Sequence, residues 1–126
     1  MKYWFTLVIT LLLTAGSVKA QTTEAERFAK SQSSKNVSAQ VGQKLAVCDT
    51  VYDFRVVNPT TTLLNLGGRY PHQNLTVTIR GEAVKVNPAL MKGKSVCFYG
   101  EVTLFKDRPE IVVTAPEQIM DINKYQ

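Results

Sequence analysis

Reactive side chains are scarce in this chain of 126 residues, which carries one histidine, two cysteines and one tryptophan. Two cysteines cannot build a four-thiolate zinc site or a disulfide-dense miniprotein. His72 alone offers one nitrogen ligand where a nitrogen-rich metal site needs several. It follows Pro71 in a polar loop, so it reads as a solvated residue rather than the base of a Ser-His-Asp or Cys-His arrangement. Neither a Gly-x-Gly-x-x-Gly turn nor a Walker loop is present. Asp49 and Asp53 lie four apart in an extended stretch and are expected on one side of a strand. With no other acid close in sequence, they read as a solvated edge rather than a cation site. These absences argue against an enzyme. The sequence requires no cofactor, no metal and no catalytic residue.

Charge of one sign is not in large excess either. Lys and Arg exceed Asp and Glu by 15 to 10, a formal net charge of +5. With 44% apolar and 20% charged residues, the chain has the composition of a globular domain and not of a disordered tail. Its length allows one domain and excludes two of ordinary size.

Lys2 opens a short positive start, and the run from Tyr3 to Ala15 is uncharged and mostly apolar. Ser17-Val18-Lys19-Ala20 comes next, with small or modest side chains at the positions that a cut after Ala20 requires. This is the layout of a cleaved secretory signal peptide over residues 1–20. A membrane anchor is the alternative, but the run falls short of the ~20 residues that span a bilayer and no second span succeeds it. The absence of a cysteine near the cut argues against a lipoprotein. The leader suits a bacterial exporter, so the mature protein is expected in the periplasm or outside the cell. Loss of Lys2 and Lys19 leaves 13 basic against 10 acidic residues, a net +3. Part of the basic bias therefore belongs to the leader.

Residues 21–40 are polar and are expected to form a solvated linker, with at most a short helix around Phe28. From Val41 the pattern changes to period two. Leu45, Val47 and Val51 alternate with polar and small residues until Asn58-Pro59 stops the strand. Thr62 to Leu66 is a second strand closed by Gly67-Gly68, and Leu75, Val77 and Ile79 mark a third. The stretch from Gly81 to Gly93 has room for one or two helical turns near Ala89. A fourth strand runs from Val96 to about Phe105. After a turn at Lys106 to Pro109, a fifth runs from Glu110 to Thr114. Residues 41–120 thus form the domain and 121–126 a tail. Five strands with a short helical insert between the third and fourth is the order of the all-β OB-fold, a five-stranded Greek-key barrel. A small β-sandwich is the alternative, although it usually needs seven strands.

Three stretches carry a further likeness. They are Val47-Cys48 after Gly42, the run from Leu64 through Gly67-Gly68-Arg69-Tyr70-Pro71-His72-Gln73-Asn74 to Ile79, and Gly93 to Val102 with Arg108 to Val113. Together they resemble a family of small exported bacterial OB-fold domains described as nucleic-acid-binding-like, some of which sit beside nuclease domains. The likeness covers Gly42 to Ile119. Asp49 stands where the family shows a glycine, which implies a gentler bend at that point. The resemblance implies a fold and carries over no activity.

In the OB order the first strand pairs antiparallel with the fourth, which brings Cys48 and Cys97 onto paired strands and on the parity opposite to Val47 and Phe98. Export makes a structural disulfide the expectation, with two free thiols or a redox pair as alternatives. OB-folds bind along strands two and three, between the loop joining strands one and two and the loop joining strands four and five. On that face the sequence places Tyr52, Phe54, Arg55, Asn65, Arg69, Tyr70, Thr76, Thr78, Arg80, Phe105, Lys106 and Arg108. Aromatics beside cations suit bases stacked on rings with phosphates held by charge. The expected partner is single-stranded DNA or RNA, or another polyanion. The alternative is an envelope protein-interaction scaffold that binds no nucleic acid. Oligosaccharide is disfavoured because the one tryptophan, Trp4, leaves with the leader.

Overall fold

A computed structural model describes residues 22–126, so the signal peptide expected over 1–20 lies outside the described residues. The chain is mostly β. Five strands, β1 (Lys44–Asn58), β2 (Thr61–Leu66), β3 (Leu75–Arg80), β4 (Ser95–Phe105) and β5 (Arg108–Val113), close on themselves in the order β1-β2-β3-β5-β4. Neighbouring strands are antiparallel except β3 and β5, which run parallel from Thr76↔Glu110 to Ile79↔Val113.

β1 is the longest strand and changes partner along its length. Lys44 to Thr50 pair with β4, and Val51 to Asn58 pair with β2. The register between β1 and β2 shifts between Val51↔Leu66 and Asp53↔Asn65, which leaves Tyr52 as the extra residue of a bulge. A bulge adds one residue to one strand, so it bends the strand and reverses the parity of the residues beyond it. Val47 and Val51 are buried before it, and Phe54 comes after it on the inner parity opposite Leu64. Asp53 is turned to the outer face. The expectation that Asp49 and Asp53 share one side is therefore overturned, because it assumed an unbroken two-residue period.

The interior is filled from all five strands. Val47, Leu64, Leu66, Leu75, Phe98 and Ile111 are fully buried, and burial of a side chain of this size stabilises by about 1.5–3 kcal/mol. Between β3 and β4 a 3-10 turn, Pro88–Leu90, delivers Met91 to the core; the Asn87 side chain accepts from the Ala89 N–H and caps it. Gly67 ends β2 at φ 76°, and a Cβ there would collide with Asn74 Nδ2 and Ser34 Oγ. The turn at this point thus needs glycine both for its backbone and for space.

Two segments fold where a linker and a tail were expected. α1 (Glu24–Phe28) buries Phe28, and the 3-10 stretch Ser34–Gln40 buries Val37 against the core. Gln32 pairs with β1 by Cys48 N–H to Gln32 O at 2.8 Å and Gln32 N–H to Ala46 O at 3.1 Å. At the other end, Ile122–Tyr125 forms a 3-10 turn that buries Tyr125, whose carbonyl accepts from the Asn87 N–H at 2.6 Å. Polar composition concealed both segments, since each is anchored by one or two apolar residues and by backbone pairing.

Asp49 explains much of the docking of the N-terminal segment. Its Oδ2 accepts from the Ser34 N–H at 2.9 Å and the Ser34 hydroxyl at 2.5 Å, and its Oδ1 accepts from the Thr50 N–H at 2.8 Å. Partial burial alone would raise the carboxyl's pKa. The three hydrogen bonds outweigh it and hold Asp49 below its ordinary value of 3.8. The fifth strand also begins earlier than expected. Lys106 and Asp107 both have positive φ, 49° and 63°, and make a two-residue hairpin loop, so Arg108 already pairs with Phe105. Pro109 is tolerated because it stands near the start of the strand.

Cys48 and Cys97 are direct partners in the β1–β4 ladder and form a disulfide across a separation of 49 residues. In the chain-entropy view a loop of that length is worth roughly 4 kcal/mol. The Cys48→Ser/Cys97→Ser protein is expected to unfold at lower denaturant with a loss of about that size, and an unchanged midpoint would contradict it. Asp49→Asn is expected to cost about 1–3 kcal/mol by weakening charge-assisted bonds to Ser34 and Thr50. Because the native pKa is depressed, this contribution is present above the ordinary value of 3.8 and fades as pH falls through the lower native one. The stability difference between wild type and Asp49→Asn, measured across acid titration, should therefore shrink below that value.

Candidate functional site

The strand registers define one row across the outer face of the closed sheet. Asp53 on β1 is opposite Asn65 on β2, Asn65 is opposite Thr76 on β3, Thr76 is in register with Glu110 on β5, and Glu110 is opposite Thr103 on β4. Directly opposed residues project to the same face, so these five polar side chains stand side by side. A second row holds Arg55, Leu63 and Thr78. Phe105 and Arg108, the closing pair of the β4–β5 hairpin, continue the same parity as Thr103 and Glu110.

Over these rows lies a groove of about 420 Å³. Asp53, Phe54 and Arg55 of β1, Leu63 and Asn65 of β2 and Thr76 of β3 line it. The β2–β3 loop adds Tyr70 and Gln73, and the β4–β5 hairpin adds Phe105, Lys106, Arg108, Pro109 and Glu110. Of the twelve residues that the sequence nominates, eight line this groove: Phe54, Arg55, Asn65, Tyr70, Thr76, Phe105, Lys106 and Arg108. Tyr52, Arg69 and Arg80 are exposed but lie outside it. Thr78 is 1% exposed, and its hydroxyl donates to Glu110 Oε2 at 2.9 Å, so it is committed within the protein. Four arginines were expected around one surface; the structure brings Arg55 and Arg108 to the groove and leaves Arg69 and Arg80 away from it.

Aromatic and cationic groups are interleaved here. The Lys106 ammonium is 5.4 Å from the centre of the Phe105 ring, and the Arg108 guanidinium is 5.8 Å from that of Tyr70. Tyr70 is 70% exposed and Phe105 58%, values unusual for large aromatics that have no partner to meet. Arg108 Nη1 donates to the Pro71 carbonyl at 2.9 Å and ties the hairpin to the β2–β3 loop, where the Tyr70–Pro71 peptide is cis. Among the described residues one ion pair forms, Lys124 with Asp121 at 3.3 Å. Arg55, Lys106 and Arg108 therefore make no direct ion pair with Asp53 or Glu110, which line the same groove.

Sequence reasoning nominated Asn65 but missed the other polar residues around it, Asp53, Gln73 and Glu110. Asp53 Oδ1 accepts from Asn65 Nδ2 at 2.6 Å, and Asp53 Oδ2 accepts from the Tyr70 N–H at 3.4 Å. Asn65 Oδ1 accepts from the Thr76 hydroxyl at 3.3 Å, and Thr76 Oγ1 accepts from Gln73 Nε2 at 3.2 Å. Asn65 is 7% exposed, so its amide is satisfied inside the protein and joins β1 to β3. The detectable signal was Asn65 in the middle of an apolar strand, since a polar residue held at a buried position requires partners. Asp53 is thus not a solvated edge. Among the described residues no three His, Cys, Asp or Glu side chains gather as a metal site would need. No helix among them is long and apolar enough to cross a membrane.

Asn65→Leu strips Asp53 and Thr76 of their shared partner in one step. A loss of about 1–3 kcal/mol in unfolding free energy is expected, and a stability equal to wild type would show that the row contributes nothing to holding the strands together. No known protein-family model matches the chain, and no curated protein is similar to it.

Proposed function

We propose that this protein is an exported OB-fold binding module whose groove takes single-stranded nucleic acid or a comparable anionic oligomer. The observation that carries the reading is the groove itself: the exposed rings of Tyr70 and Phe105 stand beside Arg55, Lys106 and Arg108 along one concave surface. Rings stack on bases whatever their sequence, and cations between them track the phosphates. The strand order supports the fold half of the reading. A closed sheet in the order β1-β2-β3-β5-β4, with a parallel β3–β5 contact and a short turn between β3 and β4, is the connectivity expected of the Greek-key OB barrel. The groove also runs over β2 and β3 beside the β4–β5 hairpin, part of the surface where that architecture binds its ligands, while the β1–β2 turn at Pro59 and Thr60 does not line it. The Cys48–Cys97 disulfide supports export, since such bonds persist in oxidising compartments.

Val56, Val57 and Leu104 favour a second reading, a protein-interaction scaffold, because they expose 57%, 48% and 54% of their surface near the strand ends.

Fluorescence anisotropy of a short labelled single strand, with the protein lacking its first twenty residues, separates the two. Binding should weaken steeply with salt. Arg55→Ala should lower the slope of log K against log salt by about 0.7, the share of one phosphate contact. Tyr70→Ala and Phe105→Ala should each cost about 1–3 kcal/mol of binding. Absence of any oligonucleotide shift at low salt leaves the scaffold reading standing and removes the first.

A further inference from the structure

The groove offers few surfaces on which a base can stack, and the structure limits how each is used. Phe54 lines it but is half-buried and packs against the core, so its ring is already committed. Tyr52 is exposed but lies outside it. Two free rings remain, those of Tyr70 and Phe105, and more than half of each residue is exposed. A cation covers each ring: the Arg108 guanidinium lies over Tyr70 and the Lys106 ammonium over Phe105. A ring with a cation on one face has one face left, and one face stacks one base. Arg108 is also the strand partner of Phe105, so its backbone stands beside one ring while its side chain covers the other. One arginine thus spans the gap between the two rings.

The charges set a matching limit. Arg55, Lys106 and Arg108 are the cations of the groove, and Arg69 and Arg80 lie outside it. Asp53 and Glu110 share the lining and repel a phosphate that strays from those three. A volume of about 420 Å³ is that of a site for one small molecule rather than of a channel for a long strand. We propose that the groove holds two stacked bases and the three phosphates around them. That is a footprint of about four nucleotides, the short end of the range for such folds. The inference rests on the nucleic-acid reading of the groove and gives its ligand a length: a short single-stranded stretch, held by one copy of the protein without further contacts along the chain.

A series of oligo-dT strands from one to twelve nucleotides, competed against a labelled strand on the mature protein, tests this. Affinity is expected to rise roughly five- to 150-fold from one nucleotide to two, the worth of a second base on a ring. Past four nucleotides it should grow only in proportion to the number of registers that the strand offers. The slope of log K against log salt should level off there at about 2, some 0.7 for each of three phosphates. Tyr70→Ala and Phe105→Ala should each remove most of the step from one nucleotide to two. Both rings are exposed, so both variants should melt as wild type does. Tyr70→Phe keeps the ring and should keep the step, which separates lost stacking from a disturbed loop. Affinity that climbs beyond the register count up to twelve nucleotides, or a step that survives the loss of either ring, overturns the short site while leaving nucleic-acid binding intact. Absence of binding at every length at low salt overturns both.

Discussion

Closure of the sheet depends on β1 serving two neighbours in succession. Its first half gives its hydrogen bonds to β4 and its second half to β2, with Val51 at the exchange. A straight strand cannot do this, because the two partners lie on opposite edges and the sheet must curl between them. The bulge at Tyr52 supplies the bend, and its extra residue reverses the parity of the strand from Asp53 to Val56, where a second register shift follows. Val51 therefore enters the core while Asp53, two residues on, faces out. The Cys48–Cys97 bridge sits just before the bend and pins the β1–β4 register at the point where a slip would turn every later side chain to the wrong face.

From that reversal come two carboxylates with separate duties. Asp49 lies before the bulge and gathers Ser34, which in turn accepts from Asn74 Nδ2 at 3.2 Å. It binds the N-terminal segment and the β2–β3 loop to the sheet. Asp53 lies after the bulge and gathers Asn65, Thr76 and, through the Tyr70 N–H, the other end of the same loop. The loop that carries Tyr70 and Gln73 is therefore held at both ends by acids of one strand. Its position over the groove is set by these two β1 acids together with the Gly67 turn and the Arg108 bond to the Pro71 carbonyl.

Much of this was legible in the residues, and the reason differs from element to element. The strands of alternating Val, Leu and Ile are visible because burial of one face imposes a period of two. Pairing of Cys48 with Cys97 is a consequence of strand order and parity. Eight groove residues were found by the same parity together with their loops. The features that could not be read have a common physical origin, in that they depend on which residue meets which across the fold. Nothing local marks Tyr52 as a bulge, so the parity of Asp53 was assigned wrongly. Phe28, Val37 and Tyr125 are single apolar residues in polar stretches, and only the surface they meet reveals them as core. Gln73 and Glu110 look like ordinary loop and edge residues until the registers place them beside Thr76. Arg69 and Arg80 fit the charge pattern but project elsewhere.

The fastening is unevenly distributed, and its distribution bears on what the groove can do. The disulfide, the Gln32 pairing, the Ser34–Asp49 bonds and the contact between Arg27 Nη1 and the Glu117 carbonyl at 2.9 Å all reinforce the sheet outside the groove. The floor of the groove is rigid for another reason, as its polar row is bonded from strand to strand. The walls differ. Tyr70 stands on a loop and Phe105 on a hairpin tip, both largely exposed, and a single bond from Arg108 to the Pro71 carbonyl joins them. The groove thus combines a polar floor bonded from strand to strand with two aromatic walls linked through one arginine. That division between floor and walls originates in the bend of β1, which turns Asp53 to the outer face.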